Sequence, residues 1–183
     1  MTDPTLSTVA LPSGVTATAE WGSLRRADGQ PCDRYTLRWT WGDGTRPGSL
    51  IMVGLNPSGA AEDVADRTLI RVMGYAKREG FGALLMLNLF SARATEPEEL
   101  LSYSGRPGYA REVAHQIGQT EGVLVAGWGS QSGRVGALVR DRVKELLPLV
   151  QAPWWCLGRT ADGSPRHPLY LARDAVLERW NRE

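Results

Sequence analysis

The chain has 183 residues, of which 42% are hydrophobic and 22% charged. This is the make-up of one ordinary globular domain with a substantial core, not of a disordered or fibrous chain. Its 21 Lys and Arg against 20 Asp and Glu leave a formal net charge of +1, which argues against a surface coated in phosphate-binding charge but leaves room for a local basic patch.

No apolar run approaches the ~20 residues needed to span a bilayer. The first 14 residues lack the basic start and long apolar stretch of a secretory signal, so a cytoplasmic location with no membrane contact is expected. Cys32 and Cys156 are the only cysteines. They cannot make a disulfide framework or a four-cysteine metal site, and His115 and His167 are not at ligand spacing with them. No metal and no cofactor are expected.

Residues 1–14 read as an arm carrying Pro4 and Pro12, and residues 15–183 as a single domain. Residues 14–21 alternate weakly, and Asp28-Gly29 marks a turn. Residues 34–41 form a period-two strand with Tyr35, Leu37, Trp39 and Trp41 on the core face and Arg34, Arg38 and Thr40 on the solvent face. These two strands predict an antiparallel N-terminal extension of the main sheet. Leu50, Ile51, Met52 and Val53 then form a continuous apolar run, the pattern of a strand covered on both faces. Gly54 permits a close backbone approach, and Asn56-Pro57 turns the chain. Glu62 and Asp63 precede a helix expected over residues 64–79, stopped by Gly80. Arg67 and Arg71 sit four apart on one face of it, and Asp66 reads as a structural residue of its first turn.

A second buried strand, residues 83–87, ends at Asn88. Thr95-Glu96-Pro97-Glu98 fits a capping box opening a short helix to about residue 103. After a break at residues 104–108, a helix is expected over residues 109–119. The third buried strand, residues 122–126, runs into Gly127-Trp128-Gly129-Ser130 and a helix over residues 132–147. Ser132 spoils a dinucleotide fingerprint there, and no phosphate-loop motif exists. The fourth strand, residues 153–157, leads to a polar loop, then His167-Pro168-Leu169-Tyr170 and a final helix to about Trp180. Strand and helix alternating through four buried strands predict a three-layer α/β/α fold with a central four-stranded parallel sheet. Ligands bind such sheets at the carboxyl edge, where Asn56, Asn88, Trp128 and the His167 loop all fall.

This arrangement resembles the uracil-DNA glycosylase superfamily over about residues 50–171. GLNPS (54–58) is similar to its first active-site motif, LLMLNLF (84–90) to the strand ending in its base-reading asparagine, and RHPLY (166–170) to its histidine-proline motif. VLVAGWGS (123–130) resembles the third strand. The whole chain also looks like a bacterial family of uncharacterised proteins with N-P-S, D-x-T-x-R (D-R-T-L-I-R here, Asp66 to Arg71), N-L-F, W-G and R-H-P-L-Y motifs.

The resemblance implies a DNA glycosylase that hydrolyses the N-glycosidic bond of uracil or another damaged base in base excision repair. Asn56 would position a water and His167 would donate to the departing base; both are the catalytic candidates. Gly54, Leu55, Asn88 and Phe90 would form the base pocket, with Asn88 offering both donor and acceptor and Phe90 stacking. Ser58, Arg67, Arg71, Arg93, Ser130, Arg159 and Arg166 would contact the strand, and Leu169 or Tyr170 would wedge into the vacated stack. The expected partner is DNA, single-stranded or mismatched, and the expected state a monomer. Two other readings stand beside this one. One is a module on the same fold that binds a base or nucleotide without cleaving it. The other is a hydrolase of free modified nucleotides in which Asp66 is catalytic.

Overall fold

The computed structural model describes residues 9–42, 44–58, 64–103 and 108–181. Glu62, Asp63 and most of the break at residues 104–108 lie outside them, as does most of the N-terminal arm. The strands are β1 (Val9–Ala10), β2 (Thr16–Trp21), β3 (Arg34–Thr40), β4 (Ser49–Gly54), β5 (Val64–Ala65), β6 (Ala83–Asn88), β7 (Gly122–Ala126), β8 (Trp154–Cys156) and β9 (Glu178–Arg179). The helices are α1 (Arg67–Arg78), α2 (Tyr109–Gly118) and α3 (Gly133–Leu146), with short 3-10 turns at Pro97–Leu101, Leu147–Leu149 and Pro168–Tyr170.

Seven strands form one mixed sheet in the order β2-β3-β6-β4-β7-β8-β9, and β1 pairs with β5 apart from it. Inside the sheet, β4 pairs in parallel with β6 and β7, and β7 with β8. These are the strands that read as buried apolar runs. Their alternate residues serve two cores. Ile51 and Val53 pack on the face covered by α2 and α3, while Leu50 and Met52 pack on the face covered by α1. A strand sandwiched in this way has no solvent face, so its sequence shows no alternation.

The sheet is wider than the four strands plus N-terminal extension expected from sequence. β3 and β2 extend it antiparallel on one edge, as anticipated, but β9 adds an antiparallel strand on the other. The final helix does not form. Leu171 packs in one core and Trp180 in the opposite one, so the chain between them must pass around the sheet edge, which a single straight helix cannot do. The Trp180 N–H donates to the Trp154 carbonyl at 3.0 Å, and the Trp180 indole donates to the Gly163 carbonyl at 3.1 Å. Trp128, Trp154 and Trp180 meet edge to face at 5.1–6.2 Å between centroids, which pins β9 over the β8 edge.

Two boundaries also move. α1 starts at Arg67, three residues later than expected, because Val64 and Ala65 pair with β1. The short turn at Pro97 opens one residue late, with Glu99 Oε1 accepting from the Thr95 and Glu96 N–H groups. The expected solvent face of β3 is covered at its start, where Arg34 is only 3% exposed, while Arg38 is half-buried and Thr40 exposed.

Candidate functional site

The carboxyl ends of β4, β6 and β7 open into a cleft of about 640 Å³. Their ends are zipped together: Leu89 N–H donates to Gly54 O at 2.9 Å, Phe90 N–H to Leu55 O at 3.0 Å, and Gly127 N–H to Val53 O at 2.9 Å. The Pro168–Tyr170 turn closes the far wall. Two glycines allow these walls to approach. A Cβ on Gly54 would lie 2.8 Å from Asn88 Oδ1. Gly129, at φ +76, would place one 3.2 Å from the His167 Cβ, in a region that L side chains rarely occupy.

Three candidate residues from separate segments line this one cleft: Asn56, Asn88 and His167. The Asn56 amide nitrogen donates to the Ala94 carbonyl at 2.8 Å and to the Pro57 carbonyl at 3.0 Å. That fixes the amide and leaves Oδ1 as the group it can offer. Asn88 is 3% exposed, and its side chain has no hydrogen bond among the described residues. Buried amides are normally satisfied, so an unpartnered one lining a cleft is a ready-made ligand contact. His167 Nδ1 accepts from the Leu169 N–H at 3.3 Å, capping the Pro168 turn. With Nδ1 accepting, the neutral ring carries its proton on Nε2. Burial lowers the His167 pKa, and the Asp66 charge opposes that shift.

Asp66 also lines the cleft and is 6% exposed. It is the N-cap of α1: Oδ1 accepts from the Leu69 N–H at 2.7 Å, and Oδ2 accepts from the Ser58 hydroxyl. Arg34 faces the same cleft. Burial lowers its pKa to about 10, with Asp66 raising and Arg93 lowering it, so it stays a cation. Strand alternation assigns Arg34 to the solvent face. β3 runs antiparallel to β6, so its first residue lies at the carboxyl edge, a placement that strand periodicity does not announce.

Gly54, Leu55, Ser58, Arg67, Ser130, Arg166, Leu169 and Tyr170 line the cleft as well. Arg67 and Arg166 are exposed, and neither has a polar partner among the described residues. Tyr170 is 80% exposed, its ring 5.7 Å from that of His167. Ser130 donates to Asp162 at 2.6 Å. This bond, with those from Thr160 and Ser164, holds the Asp162 carboxyl well below the usual range.

The other four expected residues lie elsewhere. Phe90 is 2% exposed in the core under the Arg142 guanidinium, so it has no face to stack on a ligand in the cleft. Arg71 is committed to the Leu171 carbonyl at 2.7 Å, away from Arg67. Arg93 is 8% exposed, donates to the Pro31 carbonyl and lies over Trp21. Arg159 bonds to Glu178 at 3.3 Å and to the Arg179 carbonyl, and lines a neighbouring cavity of about 580 Å³. Among the described residues no group of three or more His, Cys, Asp or Glu is arranged to hold a metal, and no helix is long and apolar enough to cross a membrane.

A family model described as "Protein of unknown function (DUF1643)" matches residues 34–169. No curated protein and no solved structure matches the chain. The matched span begins at Arg34 and takes in every cleft-lining residue named above except Tyr170.

Proposed function

The chain belongs to the DUF1643 family, and we propose that it acts on DNA as a glycosylase-like hydrolase, cleaving the N-glycosidic bond of a uracil or another damaged base. The observation that carries this reading is that Asn56, Asn88 and His167, from three separate segments, line one cleft. The four parallel strands between two helical layers suit the α/β/α fold of the uracil-DNA glycosylase superfamily.

The chemistry needs three things: a grip on the base, relief of the charge it takes away, and a water. Asn88, buried and unpartnered, offers an N–H and a C=O to the edge of a flipped base. The Nε2–H of His167 is preorganised toward charge developing on the leaving base. Asn56 Oδ1 accepts a hydrogen bond from a water and aims it, without the pKa to deprotonate it. Arg67 and Arg166 at the rim supply phosphate contacts, and exposed Tyr170 beside Leu169 suits insertion into the vacated stack.

The test is electrophoretic. Oligonucleotides containing uracil, hypoxanthine or mismatched thymine, single- and double-stranded, are incubated with the protein and treated with alkali to open abasic sites. Cleaved product from wild type that is lost with Asn56→Ala is the expected result. No product on any substrate from a folded protein that still shifts DNA overturns hydrolysis and leaves a base-binding module.

A further inference from the structure

We infer that the cavity beside the cleft is a second nucleotide subsite, which holds the base next to the excised one in a single strand. This rests on the reading that the cleft takes a nucleotide of DNA, and it adds the form and context of the strand. Placement, polarity and packing all point to it.

The cavity, of about 580 Å³, shares Trp128, Gly129 and Gln131 with the cleft. In the sheet, β4, β7 and β8 are successive neighbours. The cleft opens at the ends of β6, β4 and β7, and the cavity is lined by the loops that follow β7 and β8. The two hollows therefore lie side by side along one edge of the sheet. The Ser130–Asp162 hydrogen bond, at 2.6 Å, ties together the two loops that part them. Pro165 lines the cavity and Arg166 the cleft. Arg166 thus stands where the phosphate joining two adjacent nucleotides has to pass.

Gln131, Arg140 and Asn181 reach the cavity from three segments, and none has a side-chain hydrogen bond or ion pair among the described residues. The other charged lining groups are engaged. Arg159 is held by Glu178 and the Arg179 carbonyl, and Asp162 by Ser130, Thr160 and the Ser164 N–H. What the cavity offers is one cation and two amides. An amide presents a donor beside an acceptor, the pattern that matches the edge of a base, and a guanidinium matches a phosphate. A base paired in a duplex has that edge occupied, so the amides can read only an unpaired one.

The packing explains how these groups come together. A Cβ on Gly136 of α3 would collide with the Gln131 carbonyl oxygen, so glycine lets the turn after β7 seat against the helix. The Arg140 Nη1 lies 3.3 Å from that same Cβ position, which brings the cation back over Gly136 and beside the turn. Val139, Val143 and Trp180 make the apolar floor. Polar groups at the sides and an apolar floor beneath are what a flat heterocycle needs.

The test measures binding of single strands that carry one uracil on a 2′-fluorinated sugar, which resists cleavage because fluorine disfavours a cationic sugar. The neighbouring nucleotide on each side in turn is replaced by a tetrahydrofuran, which deletes the base and keeps the backbone. Wild type should lose about tenfold in affinity when the base on one side is deleted, and little when the other is. Pairing the strand with its complement should abolish that dependence. Asn181→Ala and Gln131→Ala, both melting with wild type, should abolish it too; Asn181 lines the cavity and not the cleft, so it reports on the subsite alone. Arg140→Ala should weaken every strand alike and reduce the salt slope by about 1. Equal affinity for the intact strand and both base-deleted strands, or a dependence that survives in both amide variants, overturns the subsite. Base release from the matching unfluorinated strands is followed in parallel. Release that ignores both neighbours overturns the subsite and leaves excision standing. Dependence on one neighbour without release upholds the subsite, while the excision reading alone fails.

Discussion

Asn88 occupies a position where stability and function pull apart. Its amide lines the cleft with no hydrogen-bond partner among the described residues, so removing it breaks no hydrogen bond among them and costs only some packing. Asn88→Ala should leave stability within about 1 kcal/mol of wild type while reducing kcat/KM for base release by about a hundredfold. A variant that loses both together would make Asn88 a structural residue. Arg34 and Phe90 mark the limits of reading single residues from sequence. Arg34 looked solvated because strand alternation assigns a face but not a neighbour. Phe90 looked like a stacking residue because it follows the Asn88 strand end, yet its ring completes the core beneath α3. Neither placement follows from local pattern, since both depend on which element lies across the sheet.

At the scale of elements, the Pro168–Tyr170 turn depends on the ionisation of the histidine that caps it. His167 accepts the Leu169 N–H through Nδ1, and protonation there removes the acceptor. Burial lowers the His167 pKa below its ordinary value of 6.5. As pH falls below 6.5 the unfolded chain takes up the proton before the folded one does, so stability falls from that point until the folded pKa is passed. His167→Asn keeps a capping oxygen and does not titrate. Denaturation midpoints measured from pH 7.5 to 5 should fall more steeply for wild type than for this variant. Parallel curves would show that the cap does not respond to protonation.

The central strands were legible from sequence because burial on both faces leaves an unmistakable continuous apolar run. Asn56 and Asn88 were legible because a polar residue closing such a run falls at the sheet edge. The last segment was not. Its residues are spaced like an amphipathic helix, but the need to bury Leu171 and Trp180 in opposite cores overrides local preference.

The whole molecule is nearly neutral, so affinity for a polyanion has to come from where its cations lie. Of the five arginines expected at phosphates, Arg67 and Arg166 line the cleft without polar partners among the described residues, whereas Arg71, Arg93 and Arg159 are committed to the fold. Alanine at Arg67 or Arg166 should each reduce the magnitude of the slope of log K against log salt by about 1. Arg71→Ala should leave that slope alone and instead cost about 1.5–3 kcal/mol of stability through the lost Leu171 contact. The reverse pattern would move the interface away from the cleft.

The central claim is that the cleft breaks a glycosidic bond and does not merely hold a base. Its most direct measurement is free base released in a single turnover, quantified by chromatography from uracil-, hypoxanthine- and mismatched-thymine-containing strands with enzyme in excess. The account predicts base released in equal amount to abasic sites by wild type. Release should be lost in Asn56→Ala and His167→Ala, with both variants still binding the strand. Saturated binding by a folded wild-type protein with no base released from any of these strands would contradict it.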